Sequence, residues 1–217
     1  LLNLTSLFKW AIFVSMNYTE ISENIKHQRY LKKLTQEELA NISGIALPTI
    51  KKIEGGKSGI RSSTIEAIAT ALEVDTEILM QPARRLKTIH FRTCRNMRSR
   101  EAVISDIINK LDQYNRLESL TGETLKPLYK TVENTNDPVS SAIQARKVIG
   151  LDDGAPVADV ATALTSFGIK LLGVSVNTEK FFSLSVGEID GGPAVIVNNN
   201  RLITLDQAAF FALHDLG

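Results

Sequence analysis

Between Gln36 and Arg61 the chain gathers side chains suited to a polyanion with readable edges. Gln36 offers a carboxamide and Thr49 a hydroxyl, while Lys51, Lys52, Lys57 and Arg61 are cationic donors with no acceptor capacity. Such donors bind phosphate oxygens, and those on a helix placed in a duplex groove also meet base edges. Gln36 stands where a helix is expected to begin, so neighbouring backbone N–H groups would help it hold a phosphate. Lys57 and Arg61 fall in a loop and suit phosphate contacts. Ala46, Leu47 and Pro48 have no hydrogen-bonding side chain. Leu47 and Pro48 suit a thymine methyl, which leaves Thr49 and Lys52 as the polar readers.

Two short helices and a tight turn must position these residues. In Leu34–Gly56, LTQEELANISGIALPTIKKIEGG, Thr35 is placed to cap the first helix and Glu38 to close a capping box. Leu39 and Ile42 supply its apolar side, Gly44 permits the turn, and Ile45 plugs the corner. The second helix is expected over Ala46–Glu54, with Ile50 and Ile53 inward and Thr49, Lys51 and Lys52 outward. Pro48 is tolerated because it lies in the first turn, and Gly55-Gly56 ends the helix. A helix-turn-helix of this length offers its second helix to the major groove of DNA.

The run TQEELA, SGI and TIKKIEGGK resembles the XRE (Cro/C1-type) helix-turn-helix family of prokaryotic repressors, from about Ile21 to Val74. The resemblance implies a five-helix, lambda-repressor-like domain, with base contacts on the leading turn of the second helix and on Lys52. It also implies symmetric dimers on half-sites about one helical turn apart. The surrounding sequence is compatible. Ile21, Ile25 and Leu31 mark a first helix over Tyr18–Lys33. Ile65, Ile68, Ala69 and Leu72 mark another, capped by Ser62 or Ser63 with Glu66, and Asp75 is placed to cap a last one over Thr76–Met80.

The 217 residues suffice for two small domains, and 43% hydrophobic content is ordinary for a packed protein. The net charge of +1 conceals a local excess. From Ala83 to Arg100 there are seven basic residues (Arg84, Arg85, Lys87, Arg92, Arg95, Arg98, Arg100) and no acid, which reads either as a phosphate-following segment or as a solvated connector. Cys94 is the only cysteine, so an intrachain disulfide and a cysteine-rich zinc site are both excluded, as suits a reducing cytoplasm. Leu1–Ser15 is apolar but short for a membrane span and lacks the marks of a signal peptide. It reads as an extension ahead of a true start at Met16, or as a hydrophobic arm. His27 and His90 have no ligand partner at useful spacing; His27 reads as a surface or phosphate-proximal residue and His90 as a structural one.

Lys87–Arg92 alternates like a short strand, and Ser99–Leu120 carries a broad helical apolar stripe that serves either packing or dimerisation. Thr131–Pro138 is a polar loop. Helices follow at Val139–Ile149 and Val157–Phe167, strands at Ile169–Val174, Phe182–Glu188 and Ala194–Asn198, and a last helix at Leu205–Leu216. This half resembles the ImmA/IrrE family of zincin-like metallopeptidase domains, through Ala145-Arg146, GIKLL, FSLSVGEIDGGPAVIVNNN and FFALHDLG. That family works through a helical H-E-x-x-H, in which two histidines hold Zn²⁺ and the glutamate activates water. His214 stands at the first histidine, but its neighbour is Asp215 rather than glutamate, and no second histidine follows before Gly217. A carboxylate one methylene shorter falls short of the water it would activate. Phe210 and Phe211 read as core packing under this helix.

The expected architecture is mainly α with a small α+β second domain: an extension at 1–15, an XRE-type domain at 16–81, a basic and helical connector at 82–138, and an incomplete ImmA/IrrE-like domain with a short sheet at 139–217. The expected function is a cytoplasmic, sequence-specific transcription regulator of repressor type. It would bind double-stranded DNA as a homodimer, with a truncated peptidase-like domain that senses a signal or binds a partner. No cofactor is expected for this chain. Zn²⁺ enters only in the alternative of a longer chain that completes the site and cleaves a repressor. A further alternative is an antitoxin with a toxin or other regulatory protein as partner.

Overall fold

The computed structural model describes residues 18–56, 59–92, 100–126, 128–133, 137–152, 154–177, 181–201 and 203–214. They fall into two units, divided between Arg84 and Arg85.

The first unit is all helical: α1 (Tyr18–Leu31), α2 (Gln36–Ser43), α3 (Leu47–Glu54), α4 (Ser62–Leu72) and α5 (Thr76–Leu79). The capping box forms in full at the start of α2. The Thr35 hydroxyl accepts from the Glu38 N–H at 3.1 Å, and the Glu38 carboxylate accepts from the Thr35 N–H at 2.7 Å. Gly44 closes α2 in the left-handed region, at φ 68°, where a side chain would be strained. Ile45 packs half-buried in the corner that follows. Ile21, Ile25, Leu39, Ile50, Ile53, Ile65, Ile68, Leu72 and Leu79 meet in one core. Asn24 Nδ2 donates to the Leu79 carbonyl at 3.2 Å and to the Gln81 carbonyl at 2.6 Å, holding α1 to the end of α5.

Three local expectations are corrected. Ile42 is 57% exposed, and it is Ala40 that joins Leu39 in the core, because a two-turn helix against two neighbours buries the 39/40 edge. Ser62 and Ser63 do not cap α4, which begins at Ser62 with Arg61 in the N-cap position and no side-chain bond there. Asp75 holds the N-cap position of α5 without a capping bond.

The second unit contains a four-stranded sheet of β1 (Ile89–Arg92), β2 (Lys170–Val174), β3 (Ser183–Val186) and β4 (Ala194–Asn198), in the order β1-β3-β4-β2. β1 and β4 flank β3 antiparallel, and β2 runs parallel to β4. Helix α6 (Arg100–Thr121) covers one face, with Val103, Ile107 and Leu111 packed on Val174, Leu184, Val186, Ala194 and Ile196. The other face carries α7 (Pro138–Val148), α8 (Val160–Phe167), α9 (Leu205–His214) and a short 3-10 turn at Leu128–Thr131. There Leu164, Phe167 and Ala212 pack on Val195, with Leu171 and Val197 beside it. The two faces follow from the period-2 alternation of the strands. The segment read as a connector is therefore part of this unit, in its described residues. β1 is its edge strand and α6 an outer layer, and the second unit begins at Arg85 rather than at Val139.

Polar bonds tie these layers together. The buried Asp190 accepts from the Lys87 N–H and the Thr88 hydroxyl, each at 2.7 Å, so the β3–β4 hairpin holds the approach to β1. Gly187 is required there, because a Cβ would lie 2.6 Å from the Thr88 hydroxyl oxygen. Lys170 is buried and points to α6, where its ammonium pairs with Glu118 at 2.8 Å, donates to Asn115 and lies 5.2 Å from the centre of the Tyr114 ring. Burial, and then the nearby Glu118 charge, push the Tyr114 hydroxyl above its ordinary pKa. The side chain of the buried Asn198 donates to the Val176 carbonyl at 3.0 Å and the Phe181 carbonyl at 2.9 Å, bracing the chain between β2 and β3.

Asp137 caps α7 and Asp159 caps α8 through side-chain bonds to backbone N–H groups. Asp159 also moves the start of its helix to Val160 from the expected Val157. Both carboxyls are held below the ordinary aspartate range, chiefly by the hydroxyls of Ser140 and Thr162 respectively and also by the capped N–H groups. A depressed folded-state pKa means that the ionised form carries the stabilisation. It is present above the ordinary aspartate pKa and lost as pH falls through the lower folded value. An acid titration followed by circular dichroism is expected to show helix loss below about pH 4. Asp159→Asn, which keeps an acceptor but does not titrate, is expected to flatten that loss. Superimposable acid curves would remove the cap from the account.

Candidate nucleic-acid interface

α3 has two contrasting sides. Ile50 and Ile53 are buried, and Leu47 packs half-buried against the same core. Pro48, Thr49, Lys51 and Lys52 are exposed on the other side, and Ala46 is exposed at the N-cap position. Ala46 is thus outside the helix rather than its first residue. Leu47 is committed to the core, which withdraws it from the apolar pair expected to meet thymine methyls. Among the described residues Lys51 and Lys52 form no ion pair. Arg61 is exposed at the start of α4, and Lys57 lies outside the described residues.

A buried network fixes the pose of α3. Glu54, its last residue, receives Arg29 Nε at 2.6 Å and a second guanidinium nitrogen at 2.8 Å, a two-pronged pair with both side chains almost fully buried. Another nitrogen of Arg29 donates to the Leu34 carbonyl at 2.8 Å. Burial lowers the Arg29 pKa, but hydrogen bonding and charge from Glu54 outweigh it and hold the guanidinium above its ordinary value. Gln36 Nε2 also donates to Glu54, at 2.8 Å. The carboxamide expected to face a phosphate is engaged inside the domain through one N–H, and its second N–H is a further donor. One carboxylate thus joins α1, α2 and α3. Arg29 and Glu54 were not among the expected site residues. The signal for them is that Glu54 is the lone acid between Gly44 and Arg61, at the end of a basic helix.

The other candidates lie in the second unit or outside the described residues. Arg84, Arg85, Lys87 and Arg100 of the basic run are exposed, while Cys94, Arg95 and Arg98 are not described. His214 ends α9 and lies edge-on to Phe210 at 5.9 Å, and Asp215 is outside the described residues. Phe210 is 63% exposed, so it does not pack beneath α9 as expected, whereas Phe211 stacks on Phe182 at 4.4 Å. Among the described residues no group of three histidine, cysteine, aspartate or glutamate side chains could hold a metal ion. Those residues do not fit the zinc site of a peptidase. No described helix is long and apolar enough to cross a membrane.

Residues 25–79 match the family described as Helix-turn-helix, a span from the middle of α1 to the end of α5. The first unit carries an XRE-type DNA-binding domain. The XRE domain is similar to the HTH-type transcriptional repressor RghR of Bacillus subtilis, at 36% identity over 69 residues, covering 31% of this chain and 51% of that protein. It is similar as well to the HTH-type transcriptional regulator RghRB of the same organism, at 42% identity over 62 residues, covering 28% of this chain and 45% of that protein. The chain therefore spans about half the length of these curated relatives. A solved structure, the restriction-modification controller protein C.AhdI of Aeromonas hydrophila, aligns at 27% identity with a TM-score of 0.28, covering 29% of this chain and 94% of that one.

Proposed function

We propose that this chain is a sequence-specific transcription regulator of repressor type that binds duplex DNA as a homodimer and works in the cytoplasm. The observation that carries this reading is the exposed face of α3, Pro48, Thr49, Lys51 and Lys52, on a helix pinned to the core by Glu54. A domain of this size makes too few contacts for tight specific binding alone, which favours a dimer on a two-fold symmetric operator. Arg61 supplies a phosphate contact beside the recognition helix, with the second N–H of Gln36. The sequence pieces of the second half resemble ImmA/IrrE domains in their order and spacing, and on that resemblance the second unit serves to sense a signal or bind a partner rather than to cleave peptides.

The test is a salt-dependent titration of the chain against the promoter region of its own gene. Lys52→Ala is expected to weaken specific binding about tenfold and to lower discrimination among sites. Lys51→Ala is expected to weaken all sequences alike and to reduce the salt slope by about one. Weak binding indifferent to sequence and to both substitutions would reduce the domain to a scaffold. Deleting residues 85–217 is expected to weaken operator binding, and unchanged affinity would remove the second unit from the regulatory reading.

A further inference from the structure

The side chains on the outer face of α3 differ in the base edges they accept. Successive helical residues are turned by about 100°, so Pro48 and Lys52, four apart, lie one above the other on the ridge opposite Ile50. Both are exposed, and Thr49 and Lys51 flank them. With Leu47 packed on the core, Pro48 is the one exposed apolar side chain within α3. Among the described residues this face carries no arginine, asparagine, glutamine or acid. The two-pronged readers of adenine and the carboxylates that read cytosine are therefore missing from it, and the Thr49 hydroxyl, which both donates and accepts, selects no single base.

An ammonium has donors only. Guanine presents two adjacent acceptors in the major groove, N7 and O6. Adenine sets a donor beside its N7, cytosine presents a donor, and thymine offers one acceptor beside a methyl group. Lys52 is thus matched to guanine. A proline ring neither donates nor accepts, and thymine alone among the unmodified bases carries a major-groove methyl for it to cover. Four residues of helix rise about 6 Å, close to two base-pair steps of about 3.4 Å.

We infer that each operator half-site contains a guanine read by Lys52 and, about two base pairs away, a thymine whose methyl group is covered by Pro48. This rests on the proposal that α3 is the recognition helix, and it adds which bases that helix selects.

The test selects bound sequences from a random duplex library with the full chain, then replaces single bases in the best duplex. Replacing the guanine by 7-deazaguanine, which lacks N7, is expected to weaken binding about tenfold. Inosine, which keeps N7 and O6, is expected to bind nearly as well. Replacing the thymine by deoxyuridine is expected to weaken binding about fourfold, the equivalent of one buried methyl group. In Lys52→Ala the response to 7-deazaguanine is expected to vanish while the response to deoxyuridine remains, and in Pro48→Ala the reverse. A selected half-site without guanine, or one indifferent to both replacements, overturns the inference and leaves specific DNA binding intact. Failure to enrich any sequence overturns the DNA-binding proposal, and the base assignment falls with it.

Discussion

Glu54→Ala is expected to destabilise the first unit by about 3–5 kcal/mol, the usual consequence of stripping one partner from a buried ion pair. The loss has two parts. Arg29 keeps its charge with only the Leu34 carbonyl and the neighbouring Tyr30 side chain left beside it, and Gln36 loses the acceptor of its amide N–H. Against a stability of about 5–15 kcal/mol for a whole domain, this is a large share. Glu54→Gln keeps the shape and one acceptor oxygen but not the charge, so a smaller loss is expected. Urea denaturation followed by circular dichroism measures both, and a Glu54→Ala midpoint within error of the parent would show that the pair holds nothing together. DNA affinity is expected to fall with stability here, whereas Lys52→Ala is expected to cost affinity and leave the midpoint alone. That contrast separates a residue that aims the helix from the one proposed to read bases.

The second large effect is expected in α6. Ile107 is completely buried between this helix and the sheet, so Ile107→Ala is expected to cost about 2–5 kcal/mol through lost burial and the cavity left behind. Native-state hydrogen exchange locates the damage. Protection in β3 and β4 is expected to drop, with that in α1–α4 unchanged. If exchange in the sheet were indifferent to the substitution, α6 would be a detachable connector after all.

What was legible in the sequence was local. Thr35 and Glu38 lie three residues apart and close a capping box, and Gly44 marks a turn, so the helix-turn-helix could be placed from a single stretch. The strands at 170–174 and 194–198 were legible for a similar reason, each being a short apolar run with turn residues at its ends. Features set by distant partners were not. β1 has a strand's alternation, but only its pairing with Ser183–Val186 makes it part of the second unit. The Gln36 amide finds its acceptor eighteen residues away at Glu54. Ile42 and Phe210 had helical spacing in their favour, yet the described residues leave both largely exposed. The XRE domain was readable because its motif is compact. The zinc chemistry suggested by His214 and Asp215 was read from a family pattern, and the described residues do not assemble a site for it.

The strand order also sets a schedule. Ile89 pairs with Val186, a separation of 186 − 89 = 97 residues, so the edge of the sheet closes only after a long loop has been brought round. The first unit closes over far shorter spans, its hydrogen bond from Asn24 to Gln81 reaching 57 residues. Long-range strand pairing slows folding, and chains leave the ribosome from the N-terminus. During synthesis the packing partners of α3 are therefore all available while the strand that β1 pairs with has yet to be made. A ribosome stalled between the two units would carry a DNA-binding domain already folded, on a chain whose second half has no structure to offer.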